Sequence, residues 1–242
     1  MSANRARIEG YIGASGSGKG VSIKRRLTQL RPRRLVIWDP RDEYADQAAA
    51  VRTLADLVAV VRQAGAGPVR VRFVPGSIKL GPAFELVCRL VFEAGELVFL
   101  AEELSDVTTA SHAPPAWRRL TTQGRHKGLH LIGAAQRPTL IDKTFLANCT
   151  RLRCGALGYD ADRRAMALEL DVRPELVAAL ESIELQGGGV RLVMLERDRQ
   201  ARACELVTLT GTAAGKWVER RAPATVAPLR GGAGLPAAHR LQ

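Results

Sequence analysis

Residues 8–19 read IEGYIGASGSGK, and Gly13, Gly18 and Lys19 fit the spacing GxxxxGK. An apolar run enters this glycine-rich segment and a helical pattern leaves it. Glycines at such a junction let successive backbone N–H groups turn toward one point, where they can cradle phosphate oxygens. The N-terminus of the following helix adds partial positive charge there, and Lys19 adds a full charge for the terminal phosphates of a nucleotide. The expected nucleotide contacts are Gly13, Ala14, Ser15, Gly16, Ser17, Gly18, Lys19, Gly20 and Val21. The hydroxyl residue that usually follows the lysine and holds magnesium is here Gly20. Ser22 lies two residues further on, too far round the helix to replace it.

A second constellation follows at residues 96–106, ELVFLAEELSD, where an apolar run ends in Glu102 and Glu103. Two carboxylates at the end of a strand beside a phosphate loop suit phosphoryl transfer. The first would hold magnesium, directly or through water, and the second would orient and polarise an attacking water. Without the phosphate loop, the same pair would read as two solvated surface acids. ATP and Mg2+ are therefore the expected cofactors, with Glu102 as the metal residue and Glu103 as the catalytic one.

The elements that must position these groups alternate between strand and helix. Strands are expected at Arg7–Ile12, Arg34–Asp39, Val69–Val74, Leu97–Ala101, Leu129–Ala135 and Arg151–Leu157. Helices are expected at Lys19–Leu30, Thr53–Ala64 with a threonine cap, Pro82–Ala94 and Pro115–Lys127. This alternation predicts an α/β fold with a mainly parallel sheet covered on both faces. Two β-rich runs, Val190–Glu196 and Ala203–Leu209, flank the polar loop RDRQAR and read as an antiparallel hairpin on the sheet edge. An ATPase domain over residues 1–210 is expected, followed at 211–242 by a basic Gly/Ala/Pro-rich tail that is mostly disordered.

The 242 residues carry a net charge of +12, and a pI of 10.4 favours an acidic polymer as partner. The four cysteines form no CxxC pair, which suits free thiols in a reducing compartment. The N-terminus has no apolar signal region. No apolar run approaches the roughly 18 residues that would cross a bilayer. A cytoplasmic protein is expected.

Several segments together resemble one superfamily. The run AEELSD resembles the DELAD segment of FtsK-type DNA translocases. The stretch TQGRHKGLHLIGAAQRP at 122–138 resembles the GRxxGxHLxxATQRP block of the FtsK/HerA superfamily. RLVIWDPRDEY at 34–44 resembles the strand–DPKGEY segment of HerA-like ATPases, and TRLRCGALGYDADRRAMALEL at 150–170 resembles the continuation after the QRP block. Order and spacing agree over roughly residues 8–195.

The resemblance implies a P-loop NTPase with a RecA-like sheet, assembled as a ring, taken as a hexamer, that hydrolyses ATP between subunits and threads double-stranded DNA. It implies Gln136 as the polar sensor of the γ-phosphate or water, and Arg125 as an arginine finger reaching a neighbour's nucleotide, with Arg118, Arg119 and Arg137 as rivals. Asp39 and Glu43 would sit near the phosphates. The near-minimal core is similar to the genome-packaging ATPases of tailless, internal-membrane viruses, which implies a capsid or portal partner and a place in the host cytoplasm or on the virion. Zot-like phage assembly ATPases are similar too, but usually carry a membrane span after the core. A weakly hydrolysing, nucleotide-gated morphogenesis scaffold and a small metabolite kinase are the readings from other classes.

Overall fold

The structure, a computed structural model, describes residues 6–212 and 215–224. In chain order the elements are β1 (Arg7–Ile12), α1 (Lys19–Leu30), β2 (Arg34–Trp38), β3 (Ala49–Val51), α2 (Leu54–Ala64), β4 (Val69–Phe73), α3 (Leu80–Ala94), β5 (Val98–Ala101), α4 (Pro115–Gln123), β6 (His130–Ala135), α5 (Lys143–Asn148), β7 (Arg151–Cys154), α6 (Asp160–Leu170), α7 (Pro174–Ala178), β8 (Ser182–Leu185), β9 (Gly189–Asp198), β10 (Ala203–Gly211) and β11 (Trp217–Pro223). They build one 11-stranded sheet in the order β11-β10-β9-β7-β1-β6-β5-β2-β4-β3, with β8 paired to β9. From β3 to β7 every pairing is parallel, and from β7 to β11 every pairing is antiparallel. The fold is the expected α/β P-loop architecture.

Alternation along the strands splits the core between the two faces. Val36, Trp38, Phe99 and Ala101 join one cluster, while Leu35, Ile37, Val98 and Leu100 join the other with Ile23 and Leu27 of α1. A continuous ring contact runs Trp38–Phe84–Trp117–Phe145, with centroids 5.1, 5.5 and 5.5 Å apart, and locks α3, α4 and α5 to the first face. Such pairs add about 0.5–1.5 kcal/mol beyond area burial. Thr53 caps α2, its side chain accepting from the Asp56 N–H. All four cysteines are free thiols.

The tail boundary at residue 211 is a correction. Residues 217–223 are not disordered but form β11, which extends the expected hairpin to three antiparallel strands. Composition misled because β11 is held by charge as well as by its ladder. Arg221 pairs with Glu196, Glu205 and Glu219 at 2.8, 2.7 and 2.8 Å, and Glu219 also meets Arg153 at 3.5 Å. Arg221 is held above its ordinary pKa: burial lowers it, and the carboxylates outweigh burial. Residues 213–214 and 225–242 of the expected tail lie outside the described residues. Pro115–Lys127 is likewise not one helix: α4 stops at Gln123 and a 3-10 turn covers Gly124–Lys127.

Candidate nucleotide site

The tips of β1, β6 and β5 open on one edge of the sheet, with Ile12 beside Ala135 and Ala101 beside Gly133. The chain leaves β1 through the 13–18 loop into α1. Gly18 caps that helix at φ 91°, with no side chain capping the first N–H groups and no acid in the first turn. Those donors stay available to an anion. The φ of 91° favours glycine at Gly18, and the loop is tightly packed: a Cβ would stand 2.4 Å from Ser17 Oγ at Gly13 and 2.6 Å from Leu192 Cδ1 at Gly18. The Gly13 N–H donates to Ala135 and the Ala14 N–H to Ala156, at 3.2 and 2.8 Å, which pins the loop to the tips of β6 and β7. Lys19 Nζ folds over the loop and donates to the Gly13 and Ala14 carbonyls at 2.7 and 3.2 Å. Burial lowers its pKa, against the pull of Glu102, Glu103 and Glu43.

Ser15, Gly16, Gly18, Lys19, Gly20 and Val21 line a cleft of about 350 Å³, together with Glu43, Glu102, Glu103 and Gln136 and with Val190, Leu192 and Trp217. Glu102 and Glu103 follow directly after β5. Glu102 is buried, and its carboxylate accepts from the Tyr44 hydroxyl. Burial pushes its pKa up to about 7; the Tyr44 bond lowers it, Glu103 raises it, Lys19 lowers it and Glu43 raises it. Glu103 sits in the left-handed region at φ 48°, a conformation that costs about 1–2 kcal/mol for a residue with a Cβ and is typical of functional sites. Its carboxylate accepts from Gln136 Nε2 at 2.8 Å, so the tips of β5 and β6 are tied together beside the phosphate loop.

Other expected residues lie elsewhere. Asp39 is fully buried and does not line the cleft. Its carboxylate accepts from the Glu43 and Tyr44 N–H groups at 2.9 and 3.1 Å and from Arg72 at 3.0 Å. It therefore shapes the 39–44 turn, which presents Glu43 to the cleft and Tyr44 to Glu102. Ser22 is buried with its hydroxyl on Met194 Sδ at 3.5 Å, facing β9. Ser17 is buried with no hydrogen-bond partner for its hydroxyl. Arg125 is exposed at the far end of β6, its Nε 3.3 Å from His126 Nε2; a six-residue strand, about 20 Å, separates it from this cleft. Arg137 is engaged by Asp162 at 2.9 Å, and Arg119 lies 4.0 Å over the Phe92 ring.

Sequence reasoning missed Tyr44, Arg72, Val190, Leu192 and Trp217 at or behind this cleft. Tyr44 had a signal, since it closes the DPRDEY segment. The others had none, because strand pairing and packing bring them from distant parts of the chain.

The residues fit a nucleoside triphosphate, with uncapped helix N–H groups, a lysine and a cleft open between them. The donor set for magnesium is thinner. Gly20 supplies no hydroxyl, Ser22 faces away, and among the described residues no group of three or more His, Cys, Asp or Glu could hold a metal ion. Glu102 stands beside Lys19 as the available carboxylate, which suits a metal carried in with the phosphates and met through water.

The chain is 34% identical over 176 residues to protein P9 of Pseudoalteromonas phage PM2, covering 71% of this chain and 78% of P9. Its fold is similar to that of the genome packaging NTPase B204 from Sulfolobus turreted icosahedral virus 2 in complex with AMPPCP. That likeness has a TM-score of 0.65 and 18% identity, covering 83% of this chain and 96% of B204. The DNA-packaging ATPase B204 from Sulfolobus turreted icosahedral virus aligns with a TM-score of 0.62 and 18% identity, over 85% and 98% of the two chains. No family model matches the chain.

Proposed function

This chain belongs to the family of protein P9 of Pseudoalteromonas phage PM2, and from that premise we propose that it is an ATPase that drives double-stranded DNA into a viral particle. The observation that carries the reading is the single cleft in which Lys19, Glu102, Glu103 and Gln136 converge, with Gln136 holding Glu103 at 2.8 Å. On binding, Lys19 would exchange the Gly13 and Ala14 carbonyls for the β- and γ-phosphates. Glu103 would accept a hydrogen bond from the attacking water and take its proton. Gln136 fixes the carboxylate for that task, and Tyr44 holds Glu102. Glu102 is the residue that would hold magnesium, through water, and the metal would supply charge neutralisation at the phosphates.

Since Arg125 lies a strand's length from its own cleft, a contact with nucleotide would be made in a neighbouring subunit, within a ring that we take as a hexamer. The net charge of +12 supports DNA binding through phosphates, insensitive to base sequence. A capsid or portal component would receive the DNA, in the host cytoplasm or on the virion. Among the described residues no helix is long and apolar enough to cross a membrane. Gly20 favours a second reading, a nucleotide-gated morphogenesis scaffold with weak hydrolysis. The test is ATP hydrolysis with magnesium, with and without double-stranded DNA. The expected result is turnover that duplex DNA of any sequence stimulates. ATP binding without turnover favours the scaffold, and no ATP binding overturns both readings.

A further inference from the structure

The cleft has two unlike ends. Glu43, Glu102, Glu103 and Gln136 form one; Val190, Leu192 and Trp217 form the other, with Val21 between them and the loop. The apolar end is built by β9 and β11, on the β7 side of β1, whereas the carboxylates come from the β6–β5 side. The phosphate loop therefore lies between the two ends. A nucleotide anchored there by its phosphates has its terminal phosphate at one end and its base at the other.

The apolar wall is firmly placed. Leu192 packs against the backbone of Gly18 and the Trp217 six-membered ring against that of Gly211, so closely that an added Cβ would stand 2.6 and 2.8 Å away. Val21, Val190 and Trp217 pack on a small separate cluster of Leu192, Met194, Val207 and Leu209. From α1, Arg25 donates to the Trp217 carbonyl at 3.3 Å and meets Glu219 at 3.7 Å, which docks β11 on the helix that follows the phosphate loop. Trp38 and Trp117 are wholly buried in the main core, whereas Trp217 is half-buried at the cleft.

We propose that Val21, Val190, Leu192 and Trp217 form a nucleobase subsite, with Trp217 as its aromatic wall, that binds the purine of the nucleotide by stacking and dispersion. The proposal rests on the reading that this cleft holds a nucleoside triphosphate. Three of the four side chains offer a base no hydrogen bond, so the subsite selects flat area rather than an edge pattern. Purines gain more than pyrimidines there, and adenine and guanine gain alike. The C-terminal strands thus become part of the nucleotide site, and occupancy braces β11 against α1.

The test compares equilibrium binding of ATP and of inorganic tripolyphosphate to the full chain with magnesium. Trp217→Ala is expected to weaken ATP about tenfold and leave tripolyphosphate unchanged, while Trp217→Phe retains ATP and Lys19→Ala loses both ligands. In the unaltered protein, ATP and GTP should change tryptophan emission and tripolyphosphate should not, with the change absent from Trp217→Phe. This readout does not depend on Trp217→Ala folding. Equal weakening of both ligands, unchanged ATP affinity in Trp217→Ala, or a strong preference for ATP over GTP overturns the subsite and leaves the triphosphate reading standing. Failure of the unaltered protein to bind either ligand overturns that reading itself.

Discussion

Glu9, within the parallel sheet, and Glu102, directly after β5, are both buried glutamates, and their surroundings drive them in opposite directions. Glu9, on β1, receives Arg26 Nη2 at 2.6 Å, His130 Nε2 at 2.8 Å and the Tyr11 hydroxyl at 3.0 Å. Burial raises its pKa, but the bonds to His130 and Arg26 outweigh burial and hold the carboxyl well below the usual range. Glu102 has Tyr44 but no ion pair among the described residues, and burial leaves it titrating at about 7. A buried charge that is fully paired belongs to the stability of the fold. One that feels Lys19 without pairing with it, beside a cleft, is poised for a ligand that brings further positive charge with it.

The sharpest way to break this comparison is at the cleft, where loss should fall on turnover and not on folding. Glu103→Gln should lower ATP hydrolysis by about a hundredfold or more while ATP still binds, and Lys19→Ala should abolish both. Steady-state hydrolysis and nucleotide binding, with thermal melting as control, read these outcomes. Full turnover in Glu103→Gln would sink the assignment. Arg125→Ala should fold, bind ATP and hydrolyse poorly, and mixing it with Glu103→Gln protein should restore part of the activity. Full activity of the unaltered protein as a monomer defeats this prediction.

At Glu9 the loss should fall on stability instead. Glu9→Gln leaves Arg26 and His130 without their acid and should cost about 3 kcal/mol, read as a lower denaturant midpoint at pH 7. The sign of the pH dependence follows from the depressed folded pKa. The stabilisation is complete above the ordinary carboxylate range, near pH 4.3, and is lost as pH falls through and below it. Urea unfolding from pH 7 to pH 3 should show this decline, with the Glu9 component missing from Glu9→Gln. The smallest effect is expected for Glu102→Gln, whose stability at pH 8 should be no lower than that of the unaltered protein, because the substitution removes a carboxylate whose ionisation burial opposes. A clear loss of stability there would mean that Glu102 is structural like Glu9.

Much of this was legible in the sequence because it depends on contiguous backbone. The strand–loop–helix around Lys19, the threonine cap at Thr53 and the short apolar runs of β2 and β5 each contain their own cause. Gln136 and Glu103 could be named singly, but their 2.8 Å contact depends on β6 lying beside β5. Asp39 was misplaced because the DPRDEY run does not reveal Arg72, 33 residues further on, which claims its carboxylate.

By itself, then, the sequence determined where phosphate could bind, since a turn of glycines followed by a helix orients N–H groups whatever surrounds it. It also determined the alternation that makes the sheet mainly parallel. Only the tertiary structure decided that Glu102 titrates near 7 while Glu9 is held low, that the charged run 217–223 is a strand, and that Trp217 closes a cleft begun some two hundred residues earlier. Ionisation and pocket walls are set by burial and by neighbours that packing supplies, and neither is a property of any local run of residues.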